Sequence, residues 1–213
     1  MHSARHVPRP TPGRGRRRKR WWLVVVALAV PPSFAWADPV VLRIDPDSSR
    51  VEYHITNPLG DVTNLAGRPA GEVNADSAHA IALAGHIIVD LRQLATGIGM
   101  RDHHVKSSSI LDVETYPLAE FALVGVEPDS TVSRGVQADG HGGTPAIAHG
   151  TLSLHGVTHE VGVPVRLLWQ RDRLRVRGSF TILLADYRIP RPRRLVIVAG
   201  KSVDVRLDLL FVP

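Results

Sequence analysis

A few clusters in the 213-residue chain group side chains that could do chemistry. Arg101-Asp102-His103-His104 places a guanidinium, a carboxylate and two imidazoles side by side. Arg101 suits a phosphate or carbonyl headgroup, because a guanidinium offers several fixed donors to oxygen, and Asp102 and His104 would complete such a polar site. The structural reading of the same residues is that Arg101 and Asp102 tie a helical segment to neighbouring loops, with Asp102 as a cap. His155 and His159 flank a turn and could converge on a metal with a third ligand, whereas His103 and His104, being adjacent, point apart on a helix. Turn-flanking histidines are ordinarily solvated and a metal needs a full ligand cluster, so no metal is assigned. Gly97-Ile98-Gly99 starts like a dinucleotide fingerprint but lacks the third glycine and the strand-to-helix setting. The segment Arg188-Ile189-Pro190-Arg191-Pro192-Arg193-Arg194 is basic and proline-rich, and suits either anionic headgroups at a membrane surface or plain solvent exposure.

None of these clusters makes a catalytic centre. Cysteine is absent, and the chain has no G-x-S-x-G, P-loop or H-E-x-x-H. No nucleophile stands at a readable spacing from a base. The sequence is therefore read as that of a binding protein and not an enzyme, with no catalytic residue and no cofactor.

The elements that must position these residues are strands. Val51, Tyr53 and Ile55 alternate with Arg50, Glu52 and His54. Val161, Val163, Val165, Leu167 and Trp169 form one odd-numbered face. Leu174, Val176, Gly178, Phe180 and Ile182 form an even-numbered one, and Val203, Val205, Leu207, Leu209 and Phe211 another odd one. Period two marks strands with one buried face, while a helix would need spacings of three and four. Gln170-Arg171-Asp172-Arg173 and His155-Gly156-Val157-Thr158-His159 read as hairpin turns. Glu127 to Pro145 reads as a long connection, Arg101 to Val113 as a short helix with Pro117 as its far limit, and Ala75 to Ala84 is open between a loop and a helical turn. Periodicity leaves two architectures open, a closed barrel or a sandwich, although closure has the advantage of removing edge strands.

Residues 1–37 read as a secretory signal peptide cut after Ala37. A basic stretch ending Arg16-Arg17-Arg18-Lys19-Arg20 precedes the apolar run Trp21 to Val30 and the small-x-small site Ala35-Trp36-Ala37. Ten apolar residues fall short of the ~20 needed to span a bilayer. The predicted location is the periplasm or the exterior, and the predicted domain is 38–213. The leader holds 8 of the 26 Lys+Arg and none of the 20 Asp+Glu, so the remainder carries 18 − 20 = −2, against +6 for the whole chain. Nucleic-acid binding thereby loses the basic surface it requires.

Three ordered segments carry a family likeness: Ile44-Asp45-Pro46-Asp47-Ser48-Ser49-Arg50-Val51; Thr96-Gly97-Ile98-Gly99-Met100-Arg101-Asp102-His103-His104-Val105, running on to Tyr116-Pro117 and Phe121; and Gly150-Thr151-Leu152-Ser153-Leu154-His155-Gly156-Val157-Thr158. In order and spacing the chain, from about Leu42 to Phe211, resembles the YceI-like family of periplasmic polyisoprenoid-binding proteins. The resemblance implies an all-β fold, a closed antiparallel eight-stranded lipocalin-like barrel with a short helical segment, enclosing a long hydrophobic cavity for an isoprenoid quinone, polyprenyl chain or similar lipid. The family's aromatic-rich first hairpin is missing here, its places taken by Asn57 and Gly67-Arg68-Pro69. With 4 Phe and 3 Tyr in the chain, the expected lining is Val, Leu and Ile.

The predicted ligand-binding set is therefore Val51, Tyr53 and Ile55; Val163, Val165, Leu167 and Trp169; Val176, Phe180 and Ile182; Val205, Leu207 and Leu209; and Arg101, Asp102 and His104 for a headgroup. On periodicity alone these faces would more commonly pack a solid core; the resemblance points to a cavity. Burying an alkyl carbon gains about 0.8 kcal/mol and association costs roughly 4–15 kcal/mol, so chains of about fifteen carbons or more are favoured. A membrane surface and a second copy of the chain stand as further partners. An envelope stress-related interaction module with a filled barrel is the alternative function.

Overall fold

The computed structural model describes residues 40–56, 62–76, 79–129, 142–191, 193–194, 197–198 and 200–213. The leader and its cleavage site, Asn57, most of the Glu127–Pro145 connection, and the side chains of Pro192, Arg193 and Arg194 lie outside that set.

Alternating sequence becomes strand almost everywhere. β1 (Val40–Ile44), β2 (Arg50–Thr56), β3 (Val62–Gly67), β4 (Pro69–Asp76) and β5 (His79–Asp90) lead into a 3₁₀ turn, Leu91–Gln93, and the helix α1 (Gly99–Lys106). β6 (Leu118–Pro128), β7 (Thr144–Leu154), β8 (Val157–Gln170) and β9 (Arg173–Leu183) follow, then a two-residue ribbon, β10 (Arg193–Arg194) with β11 (Ile197–Val198), and finally β12 (Ser202–Val212). The hydrogen-bonded order is β1-β4-β5-β6-β7-β8-β9-β12. β12 then pairs back onto β1, with Arg43 opposite Val212 and Ile44 opposite Phe211. This closes an antiparallel ring of eight strands and decides between the two architectures: the fold is a barrel, with no edge left along the ring.

β2 and β3 stand outside the ring as a hairpin. β2 attaches to the other stretch of β12, where Asp204 to Asp208 face His54 to Arg50. Both predicted tight turns are present. Arg171 and Asp172 join β8 to β9, with Arg171 at φ 59°. His155 (φ 51°) and Gly156 (φ 73°) join β7 to β8, the pair of left-handed residues that fits the twist of a two-residue hairpin. A Cβ on Gly156 would also come within 2.7 Å of the Tyr116 ring.

Two local expectations change. The helix spans Gly99–Lys106 instead of Arg101 to Val113. It stops at Ser107-Ser108-Ser109, where short polar side chains compete for backbone groups; Ser107 Oγ donates to the His104 carbonyl at 2.7 Å. Backbone from Ala75 to Asp76 and from His79 onward is strand, paired as the β4–β5 hairpin, so the alanine-rich stretch is neither a helical turn nor a simple loop.

Outside the barrel the alternate residues form a polar layer. Arg175 Nε lies 2.6 Å and Arg177 Nε 3.2 Å from the Asp208 carboxylate, and Thr181 Oγ1 donates to Asp204 at 2.6 Å. These cross-strand pairs occupy the solvent face of β9 and β12, which leaves their other face wholly apolar.

Candidate ligand-binding cavity

The inner faces enclose a cavity lined by 24 residues drawn from β2, β4, β5, β6, β7, β8, β9 and β12. Every one is Val, Leu, Ile, Ala or Phe, except Tyr53. The cavity volume is about 120 Å³, set within about 990 Å³ of void that includes the clefts between side chains and the open space at its ends. An apolar cavity of roughly 150 Å³ stays dry and accepts a benzene-sized guest. This lumen is accordingly an apolar space of about that size.

Burial separates packing from lining. Leu42, at 1% exposure, is buried and does not line the cavity. Tyr53, Phe121, Val176, Phe180 and Leu207 are only part-buried although they face inward, since part of each side chain borders the void. Burial alone pushes the Tyr53 phenol well above its ordinary range.

Most of the apolar residues singled out from sequence meet here. Val51, Tyr53, Val163, Val165, Leu167, Val176, Phe180, Ile182, Val205, Leu207 and Leu209 all line the cavity. Ile55 and Trp169 do not; they pack part-buried against the core near the ends of β2 and β8. The lining expected to be Val, Leu and Ile also holds Phe121, Phe180 and Phe211, every Phe among the described residues. Few aromatics in the chain did not mean few in the lumen.

The sequence reading missed the whole wall from β4 to β7. Phase is the reason. On β6 the inward positions Ala119, Phe121 and Leu123 are odd-numbered, a register shift between Leu123 and Gly125 follows, and Val126 continues the wall on an even number. A bulge inserts one residue and flips the alternation. On β5 the run Ile87-Ile88-Val89 hides which residues face in; the closing strand positions Leu83, Ile87 and Val89 are the liners.

The polar trio is absent from the lining. Arg101, Asp102 and His104 stand on α1, which anchors through Val105 in the core, with Ile110 and Val113 buried just beyond the helix. Asp102 accepts from the Thr96 backbone N–H at 2.7 Å and the Thr96 hydroxyl at 2.5 Å. That hydroxyl, and then the N–H, hold the Asp102 carboxyl below its usual range. Asp102 thus ties the helix to the loop before it, as the structural reading had it, but does not cap the helix: the N-cap is Ile98, without a side-chain hydrogen bond. His104 is exposed.

His155 and His159 do not converge on a metal. His155 Nδ1 lies 3.1 Å from the Tyr187 carbonyl oxygen and His159 Nε2 3.0 Å from that of Asp186. Both imidazoles pin the turn after β9 onto the β7–β8 hairpin, and their rings pack on Tyr116 and Tyr187 respectively. Among the described residues no His, Cys, Asp or Glu cluster is suited to a metal ion.

Residues 42–211 match the family of the YceI-like domain. A UPF0312 protein of Vibrio vulnificus (strain YJ016) is 26% identical over 146 residues, 66% of this chain and 67% of the relative. A UPF0312 protein of Vibrio campbellii is 25% identical over 130 residues, and the matched part covers 58% of this chain and 60% of the relative, under two thirds of the latter's length. Among solved structures, BcnA of Burkholderia cenocepacia superposes with a TM-score of 0.64 at 19% identity, over 78% of this chain and 98% of that one. A polyisoprenoid binding domain from Saccharophagus degradans, implicated in plant cell wall breakdown, gives 0.58 at 18% identity, over 81% and 98%. At these identities the structural likeness speaks for a shared fold.

Proposed function

The chain belongs to the YceI-like domain family, and on that premise we propose that it is a carrier that holds one long-chain lipid, a polyisoprenoid, an isoprenoid quinone or a similar amphiphile, inside its barrel, and that it catalyses no reaction. One observation carries this reading: a lumen walled on every side by hydrocarbon, with a single hydroxyl in it. A surface of that kind gains free energy in proportion to the apolar area it takes from water, and it offers no nucleophile, base or metal ligand to a substrate. The polyisoprenoid-binding relative in fold supports the ligand class.

Size constrains the guest. At about 30 Å³ per water-sized group, a fifteen-carbon chain occupies roughly 450 Å³. That exceeds the open 120 Å³, so the wall must yield to admit it. Such a chain requires the unbranched-at-Cβ side chains of the wall, the Leu and Phe residues, to change rotamer, because Val and Ile are stiff at χ1.

The leader-like pattern of residues 1–37 supports a periplasmic or secreted location, and Arg188 and Arg191, both exposed, support transient contact with an anionic membrane surface from which the lipid is taken. Native mass spectrometry of the protein purified gently from a periplasmic extract, followed by organic extraction, tests the proposal. The expected result is one long-chain lipid per chain. A mass without lipid, unchanged on adding isoprenoid quinones or polyprenols, would reject the carrier reading in favour of an interaction module that needs no ligand.

A further inference from the structure

The Tyr53 hydroxyl is the odd group in the lumen. Its ring stands between Val205 on β12 and Leu65 on β3, on the inner face of β2, and its side chain borders the void. Among the described residues no hydrogen bond reaches Tyr53 Oη. A phenol that borders an apolar lumen gains little there from its hydroxyl unless a partner reaches it, and a phenylalanine would fill the place with nothing left unpaired. Tyr53 thus presents to the apolar lumen an O–H that no described residue engages.

We propose that Tyr53 donates a hydrogen bond to a carbonyl-type oxygen of the bound lipid, so that the ligand is an oxygenated long chain whose polar group lies inside the barrel and not at its mouth. This rests on the carrier reading and adds to it the chemistry of the guest. The lining holds no charged side chain, which excludes a lumen site for a phosphate or free carboxylate, whose charge would go unpaired in hydrocarbon. A neutral carbonyl, as in a quinone, ketone, ester or amide, needs one donor, and one donor is present. Burial keeps the phenol protonated far above neutral pH, so it serves as donor throughout the physiological range.

The fold supplies a control. Tyr187 Oη is buried without a hydrogen-bond partner among the described residues, but Tyr187 sits in the turn after β9 against His159 and does not line the lumen. The test titrates the purified, delipidated protein with octadecan-2-one and with octadecane, supplied from cyclodextrin and read by native mass spectrometry, using wild type, Tyr53→Phe and Tyr187→Phe. Wild type and Tyr187→Phe are expected to prefer the ketone by about tenfold, equivalent to about 1.4 kcal/mol. Tyr53→Phe should bind both chains with the affinity of the alkane, and an unchanged melting temperature will show that its fold is intact. Equal affinity of wild type for the two chains, or a preference that survives in Tyr53→Phe, overturns the inference and leaves the carrier reading standing. Failure of both chains to bind wild type overturns the two together.

Discussion

The barrel wall and the connection between β5 and β6 handle polar groups in opposite ways. Along β8, β9 and β12 the charged side chains face solvent and pair across strands, as Arg175 and Arg177 do with Asp208, while the inner face carries none. Between Asp90 and Pro117 the backbone leaves the barrel wall, and side chains supplement its local backbone hydrogen bonds. Asp90 accepts from the Arg92 N–H, its guanidinium and Gln93; Asp102 accepts twice from Thr96. Asp102, the centre of the most chemical-looking cluster in the sequence, is thus occupied in holding a loop, and the blandest residues line the cavity. A motif of Arg, Asp and His signals chemistry only when its polar atoms are left over after the backbone has been satisfied.

The strongest way to break that contrast is to put a charge where the wall has none. Val205, 3% exposed, faces the lumen beside Tyr53 and Phe180. Val205→Asp would strand a carboxylate in hydrocarbon, and a loss of more than about 4 kcal/mol is expected, large against the ~5–15 kcal/mol that holds a typical domain. Urea unfolding followed by circular dichroism measures it; a variant that unfolds within about 1 kcal/mol of wild type would mean that water reaches the lumen. The matching change in the connection is much milder. Asp102→Ala removes two hydrogen bonds at a part-buried site, worth about 1 kcal/mol, and lipid retention should be unaffected. If instead lipid is lost while the melting temperature holds, α1 belongs to the binding site after all.

Why one region could be read from sequence and the other could not follows from the same contrast. On β2, β8, β9 and β12 the alternation runs unbroken, so period two put eleven lumen residues on inward faces, while only the family resemblance made those faces a cavity and not a solid core. The β6 wall was hidden by the shift between Leu123 and Gly125, because a bulge is one residue's change of phase and leaves no compositional mark. Ile55 and Trp169 obey the alternation but lie where their strands run past the lumen; period gives the face and says nothing of height along the barrel. In the connection the signal was residue type, which names what a side chain can do and not which partner already holds it. Thr96, the partner of Asp102, differs from the other serines and threonines of the chain only by position. Closure was out of reach of periodicity and came from the family resemblance, since the β1–β12 pairing joins the two ends of the fold through two residue pairs.

The smallest expected effect concerns acid. Hydrogen bonds from the Arg92 side chain, ahead of those from the Arg92 backbone and Gln93, lower the Asp90 carboxyl to about 2 from an ordinary 3.8. A folded value below the unfolded one means that the folded state holds its proton less tightly, so the contribution is complete above about pH 4 and fades as pH falls through about 2. The Arg92 side chain is 58% exposed, so the pair behaves as a surface ion pair and its worth is bounded at up to about 1 kcal/mol. Asp90→Asn should therefore be less stable than wild type by that amount at pH 6, and the two should converge near pH 2. The gap should also narrow in 1 M salt, where screening acts within about 3 Å. Val205→Asp offers the opposite sign, because protonation relieves a buried carboxylate: its deficit against wild type should shrink as pH falls from neutral. Unfolding curves of the two variants at pH 6, 4 and 2 put the contrast on a single axis. Connection and wall are distinguished if acid removes the advantage of Asp90 and relieves the penalty at position 205, and a common pH response would mean that both carboxylates stand in water.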